Sequence, residues 1–482
     1  MGIRFAKLFM TVCLLMQANH LSAVTFAETA GNLRPRVVVT TDGEIDDQAS
    51  MIRFLLSSNE FDVEAIVNST SQFHWPGGKD WNSFHPVEWI KEYIGLYAEV
   101  YPNLIKHDPL YPSPGCLLER WKVGNVDGVG EYLSDSDGAR LIADVLLDES
   151  DRRPVWLQAW GGCNTIAAAF RIIQETRPDK MEYVASKARL YLIWEQDGTY
   201  QSYIRPNWEH LGLNVIISDQ FDCMAYIWDK VLPESVKPYF EKEWISSNIL
   251  EGHGPLCAAY PNNRGAFNAE GDTPSFLHSI DTGLQNMENP GWGGWGGRYV
   301  NVRGNVWMDP LPSATVVHAD GQISIHNSLS KQFENATSAD SIAFRTEYFR
   351  PMWRWFPAVQ NDFAARARWC VNDYGEANHH PKVSIKGDYG VLAVSKGDRV
   401  TLDASESSDP DGDGLAVRWW SYPEAGTYEG QWTFESDGDV AVVEIPDDFG
   451  PDDTVHIICE VTDDGSPALT RYKRIVLKGM DV

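Results

Sequence analysis

The run Arg36-Val37-Val38-Val39-Thr40-Thr41 is followed at once by Asp42-Gly43-Glu44-Ile45-Asp46-Asp47. A β-branched strand ending in four carboxylates within six residues constrains this chain more than any other feature. The strand is apolar without alternation, so it needs cover on both faces, as in a parallel sheet. After the turn, Met51, Phe54 and Leu55 recur at helical spacing. The same rhythm continues downstream. Segments 63–67, 154–160, 189–193 and 214–217 read as strands, and 87–97, 137–148 and 164–175 as helices. This alternation predicts βαβ units in an open, mostly parallel α/β sheet with flanking helices. Such sheets bind ligands beyond the carboxyl ends of their strands, where the acidic turn falls.

The chain then changes character twice. Residues 246–335 are rich in Gly, Asn, Pro and Trp, most densely at 289–299 (NPGWGGWGGRY), and read as long ordered loops over a site. An aromatic-rich helix over 348–369 closes a first domain of residues 34–370, and 371–382 reads as a polar linker. Residues 383–482 show short alternating runs separated by turns, which predicts a small all-β sandwich.

Residues 1–27 read as a secretory leader, with Arg4 and Lys7 before an apolar run and small residues at Ala23 and Ala27. That run is too short to span a bilayer, and no later stretch is apolar enough. The expectation is a protein secreted or delivered to the periplasm, with no membrane insertion. A formal charge of −28 lacks the basic footprint of nucleic-acid binding. The 19 Trp suit stacking on sugars or a dense core. Six cysteines remain beyond the leader. An even count permits disulfides, but the wide spacing has no C-x-x-C pair for zinc, and buried thiols are expected for at least half.

Crowded carboxylates repel one another unless a cation neutralises them, and hard oxygen donors suit Ca2+ or Mg2+. The plainer reading of the turn is an acidic helix start that complements the helix dipole. Three further segments favour the metal. Asn68 follows the second strand directly. The next strand ends in Trp160-Gly161-Gly162-Cys163-Asn164. Asp309 sits in Trp307-Met308-Asp309-Pro310, after another strand-like stretch.

Together these segments resemble the nucleoside hydrolase family, with its DxDxxxDD turn, its Asn after the second strand, a GPLTN-like turn and a late HDP. That family has an open α/β fold, binds Ca2+ and hydrolyses the N-glycosidic bond of ribonucleosides. The resemblance implies that Asp42, Asp47 and Asp309 give carboxylate oxygens to Ca2+ and Asn164 its backbone carbonyl. It implies that Asp42 is also the general base, that Asp46 and Asn68 bond the sugar hydroxyls, and that Glu195 and Asn207 hold the outer hydroxyl. Two positions depart from the family: Thr40 replaces its first Asp, and Met308 replaces the His that helps the leaving base depart.

A longer resemblance covers almost the whole chain. The segments DGEIDDQAS, NSTSQFHW, WGGWGGRY and WRW…QNDFAARARW look like a secreted bacterial family described as cellulose-binding proteins. Its members have a nucleoside-hydrolase-like domain and an Ig-like C-terminal domain. Residues 400–414 and 461–465 resemble a PKD-type Ig-like module. Their DPDGDG run is no EF-hand, because the position of the bidentate Glu is Trp420.

The resulting expectation is an exported Ca2+-dependent hydrolase that attacks an anomeric carbon of a carbohydrate or nucleoside with inversion. The alternative is a non-catalytic cellulose- or carbohydrate-binding protein. His74, Trp160 and His253 are expected to line the pocket, and Trp292 and Trp295 to stack on sugar rings. A single Trp or His is more often a core residue; the glycines around Trp292 and Trp295 make that pair the favoured platform.

Overall fold

The computed structural model describes residues 34–78, 87–310, 316–317, 323–324 and 338–480. The expected leader, 1–27, and part of the expected loop region, 311–315, 318–322 and 325–335, lie outside them. One sheet contains β1 (Arg36–Thr41), β2 (Asp62–Asn68), β3 (Trp121–Val123), β4 (Val155–Ala159), β5 (Ala188–Ile193), β6 (Asn214–Ser218), β7 (Val300–Arg303) and β8 (Val306–Met308). Its order is β3-β2-β1-β4-β5-β6-β8-β7. All neighbours pair in parallel except β7, which joins β8 as an antiparallel edge. The order turns back on itself between β1 and β4, and the crevice at their carboxyl ends is where such a sheet admits ligands.

Successive residues of β1 point to opposite faces, and both faces are packed. Val37 and Val39 join Trp156 in one core, and Val38 joins Ala65, Leu157 and Ala159 in the other. The covering helices include α1 (Ile45–Leu56), α2 (Trp89–His107), α3 (Asp137–Leu147), α4 (Asn164–Thr176) and α5 (Phe356–Trp369). The single helix expected over 348–369 is broken into pieces. Pro351 and Pro357 each stand in the first turn of a new helix, where a missing N–H does no harm.

The C-terminal part has a four-stranded and a three-stranded sheet, with Leu402, Ala441 and Val443 packed against Ile457, Cys459 and Ile475. It docks closely on the α/β part. The Tyr472 N–H donates to the Thr282 carbonyl and the Arg474 N–H to the Gly283 carbonyl, each at 3.0 Å. The stretch read as a linker is itself packed. Tyr374 stacks on His379 at 3.9 Å, and His379 bridges His107 of α2, at 2.9 Å, to Asp411, at 3.0 Å. All six described cysteines are free thiols, five of them buried. No helix among the described residues is long and apolar enough to cross a membrane.

Candidate functional site

The β1 end is built by one glycine and one helix start. Thr41 pairs with Asn68, so β1 and β2 end level. Gly43 has φ +85°, and a Cβ there would lie 2.8 Å from the Trp89 indole nitrogen, so no other residue turns the chain here without strain. The first turn of α1 then brings Asp46 and Asp47 beside Asp42. Glu44, at the N-cap, makes no side-chain cap bond, so helix capping does not account for the cluster.

Asp42, Asp46 and Asp47 are 1%, 7% and 2% exposed. Oxygens from Asp42, Glu44 and Asp47 lie within 4.8 Å of one another, as do oxygens from Asp46, Asp47 and Asp272. Burial first, then mutual repulsion, pushes Asp42, Asp47 and Asp272 well above the usual carboxylate range. Asp46 is also raised by burial, offset in part by Tyr226 and by backbone N–H groups. The Thr41 hydroxyl donates to Asp47, and the Tyr226 hydroxyl donates to Asp46 at 2.8 Å. Neither oxygen of Asp42 meets a donor at hydrogen-bonding geometry; Ser71 and Asp47 lie near enough to relieve it only in part. A buried carboxylate in that state needs a proton or a cation. The donors are all hard oxygens, which fits a divalent ion such as Ca2+.

Beside this cluster lies a cavity of about 180 Å³. Glu44, Asp46 and Asp222 supply its acidic wall, with Tyr226 and Gln196 as polar neighbours. Trp194, Phe73 and Phe221 supply flat apolar faces. Gln196 is held in place by donating to the Trp160 and Ile193 carbonyls.

The other expected residues divide into three groups. His74 and Asn68 are near the cluster. The His74 Nδ1 donates to the Asp42 carbonyl, and Asn68 accepts from Trp121 Nε1 at 3.0 Å. Asp309, just past β8, is in neither carboxylate group, and Asn164 follows the turn after β4. Asn164 begins α4, donates its N–H to the Asp197 carboxylate at 2.9 Å, and donates its amide N–H groups to the Thr70 hydroxyl and to the Asn125 and Glu131 carbonyls. Asp309 accepts from the Asp219 and Gln220 N–H groups through one oxygen and has no partner on the other. Burial pushes its pKa to about 8.

The third group lies elsewhere. Glu195 turns to Gln201 at 2.8 Å, and Asn207 donates to the Tyr203 carbonyl, while the flanking Trp194 and Gln196 face the cavity. Trp160 is fully buried against Phe54 and Phe276, its indole N–H donates to Gln158 at 3.4 Å, and its carbonyl accepts from Gln196. His253 is near Arg368. Trp295 is 1% exposed beneath Arg471, and Trp292 packs on His456 and Arg474, so both rings are fixed against the C-terminal sandwich.

The sequence reading missed Asp272, Asp222, Tyr226 and Asp197. Each lies in an irregular segment or a short helical turn, and the one local hint was the acidic pair Glu270 and Asp272 amid small and apolar residues.

Comparison with known proteins gives two family matches. The model described as "Cellulose-binding Sde182, nucleoside hydrolase-like domain" matches residues 36–299, and "Cellulose-binding protein Sde0182, C-terminal domain" matches 399–479. A solved structure described as a nucleoside hydrolase-related hypothetical protein from Saccharophagus degradans, associated with carbohydrate metabolism, is 32% identical. The match covers 93% of this chain and 100% of that one at a TM-score of 0.71. An inosine-guanosine nucleoside hydrolase is 12% identical over 66% of this chain and 98% of its own, at a TM-score of 0.30. No curated protein matches.

Proposed function

This chain belongs to the Sde182 family of cellulose-binding proteins with a nucleoside hydrolase-like domain, and on that premise we propose that it is an exported protein that hydrolyses a glycosyl bond of a carbohydrate with a divalent cation, Ca2+, at the β1 end. The observation that carries this reading is Asp42, a buried carboxylate whose oxygens lack a well-formed hydrogen bond and are only partly relieved by Ser71 and Asp47, at the turning point of the sheet. Asp42, Glu44 and Asp47 would hold the ion. When bound, such an ion acidifies a water and orients vicinal hydroxyls.

The protein's own groups do the rest. Asp42 accepts the proton of the attacking water, since burial makes it a stronger base than an exposed carboxylate. Asp46 and the Tyr226 hydroxyl bond a sugar hydroxyl at the cavity wall. Trp194 and Phe221 cover the apolar face of the ring and exclude water. Asp222, in the same wall, gives the leaving oxygen its proton. Water attack with no side-chain nucleophile inverts the anomeric carbon. The cavity of about 180 Å³ is below the roughly 300–1,000 Å³ of typical ligand pockets, which favours one sugar ring over a whole nucleoside.

Two observations favour the binding-only alternative. Met308 offers no proton, and Asp309 is held by two backbone N–H groups outside both carboxylate groups. The deciding experiment incubates the purified protein with cello-oligosaccharides, other glycans and ribonucleosides, in Ca2+ or in EDTA, and separates the products. Ca2+-dependent release that Asp42→Asn abolishes supports hydrolysis. No release from any substrate, with retained retardation in glycan-containing gels, leaves the binding reading.

A further inference from the structure

Asp272 arrives from 225 residues beyond Asp47, on the segment that leads into the short helix Thr273–Leu277. Its neighbour Glu270 shows how this fold neutralises a buried acid. The Glu270 carboxylate receives Arg53 at 2.6 and 2.9 Å and the Thr273 hydroxyl at 2.8 Å. Asp272, two residues on and 2% exposed, has no salt bridge among the described residues, and its Oδ2 meets no donor. Its charge faces Asp47, Asp46, Asp42 and Glu44, with no cation among those principal neighbours.

The Asp46 carboxylate is shared between two sides. Its Oδ1 takes the Tyr226 hydroxyl at the cavity, while its Oδ2 faces Gly271, where a Cβ would lie 2.5 Å away. Gly271 thus lets the 270–272 backbone close on the acid. Five carboxylates meet in two overlapping triplets that share Asp47. One dication leaves three negative charges in this pocket, and two leave one.

We propose that Asp46, Asp47 and Asp272 form a second divalent-cation site, joined through Asp47 to the site at Asp42 and Glu44, so that the protein binds a pair of ions. The inference rests on the cation reading given above and extends it to a site with its own ligand. The pair arrangement matches the way carboxylates bridge neighbouring ions in two-metal centres.

The test counts ions. The exposed turn with Asp409, Asp411 and Asp413 is also acidic, so the count uses an Asp409→Asn, Asp413→Asn background. Equilibrium dialysis of that full-length protein against Ca2+, read by elemental analysis, is expected to give two ions per chain. Adding Asp272→Asn is expected to leave one, with circular dichroism unchanged. If Asp272→Asn does not fold, Asp272→Glu is expected to keep two ions with the second weakened. A count of one before the Asp272 change, or of two after Asp272→Asn, overturns the second site. A count of zero removes the cation reading of the proposed function itself, and this site with it.

Discussion

A Cβ on Gly161 would lie 2.6 Å from the carboxyl carbon of Asp42, so the turn after β4 and the acid after β1 fit together only because position 161 has no side chain. Gly161→Ala must push Asp42 out of place. The expected cost is about 1–3 kcal/mol of stability and about 10–100-fold in Ca2+ affinity, measured by thermal melting and titration calorimetry. Unchanged affinity in the folded variant means that Asp42 is not a ligand.

Stability without metal should fall as pH rises. Asp309 is pushed from 3.8 to about 8 in the folded protein, so the folded state holds that proton more tightly than the unfolded one. Its contribution is therefore full below the unfolded value and is lost as pH climbs toward about 8. Asp42, Asp47 and Asp272 act in the same direction. In EDTA, the melting temperature is expected to drop between about pH 4 and about pH 8. Asp309→Asn should flatten part of that slope, and Ca2+ should flatten the part due to the β1 cluster.

Arg474 joins the two parts of the protein. It is fully buried and donates to the carbonyls of Leu284, at 2.7 Å, and of Trp292 and Gly293, each at 2.8 Å. Arg474→Met removes the donor from three carbonyls, two of them buried at about 1–3 kcal/mol each and the part-buried Trp292 carbonyl at less. Calorimetry is expected to show a lower transition in which the sandwich and the α/β part no longer melt together.

Substitutions of Trp295 and Tyr226 should separate packing from recognition. Trp295→Ala is expected to cost about 3–5 kcal/mol of stability while the folded fraction keeps its glycan affinity. Tyr226→Phe removes only the hydroxyl that reaches Asp46, leaving the melting point near that of the parent and weakening glycan retention about tenfold. Affinity electrophoresis on cellulose derivatives checks both. The reverse pattern would return Trp295 to the binding surface.

Much of the α/β frame was legible because its signals are local. The β-branched run at 36–41, the acidic turn and the 3.6-residue spacing after it lie within one strand, turn and helix, and each formed as read. Pro351 and Pro357 were equally local signals of broken helices, but the density of aromatic residues around them suggested one long helix. The glycines beside Trp292 and Trp295 suggested open rings. They instead give the sandwich a close approach: a Cβ on Gly293 would meet the Tyr422 hydroxyl at 2.5 Å.

By itself the sequence determined the strand–helix alternation, the sandwich at the C-terminus and the carboxylates of one β1 turn, because those depend on periodicity and spacing over a few residues. Only the tertiary structure decided which distant groups share that turn's charge. Asp272 and Tyr226 come to Asp46 while Asp309, Glu195 and Trp295 go elsewhere, because position in space follows from which surfaces are buried together. An isolated acid carries no local mark of the partner it will meet.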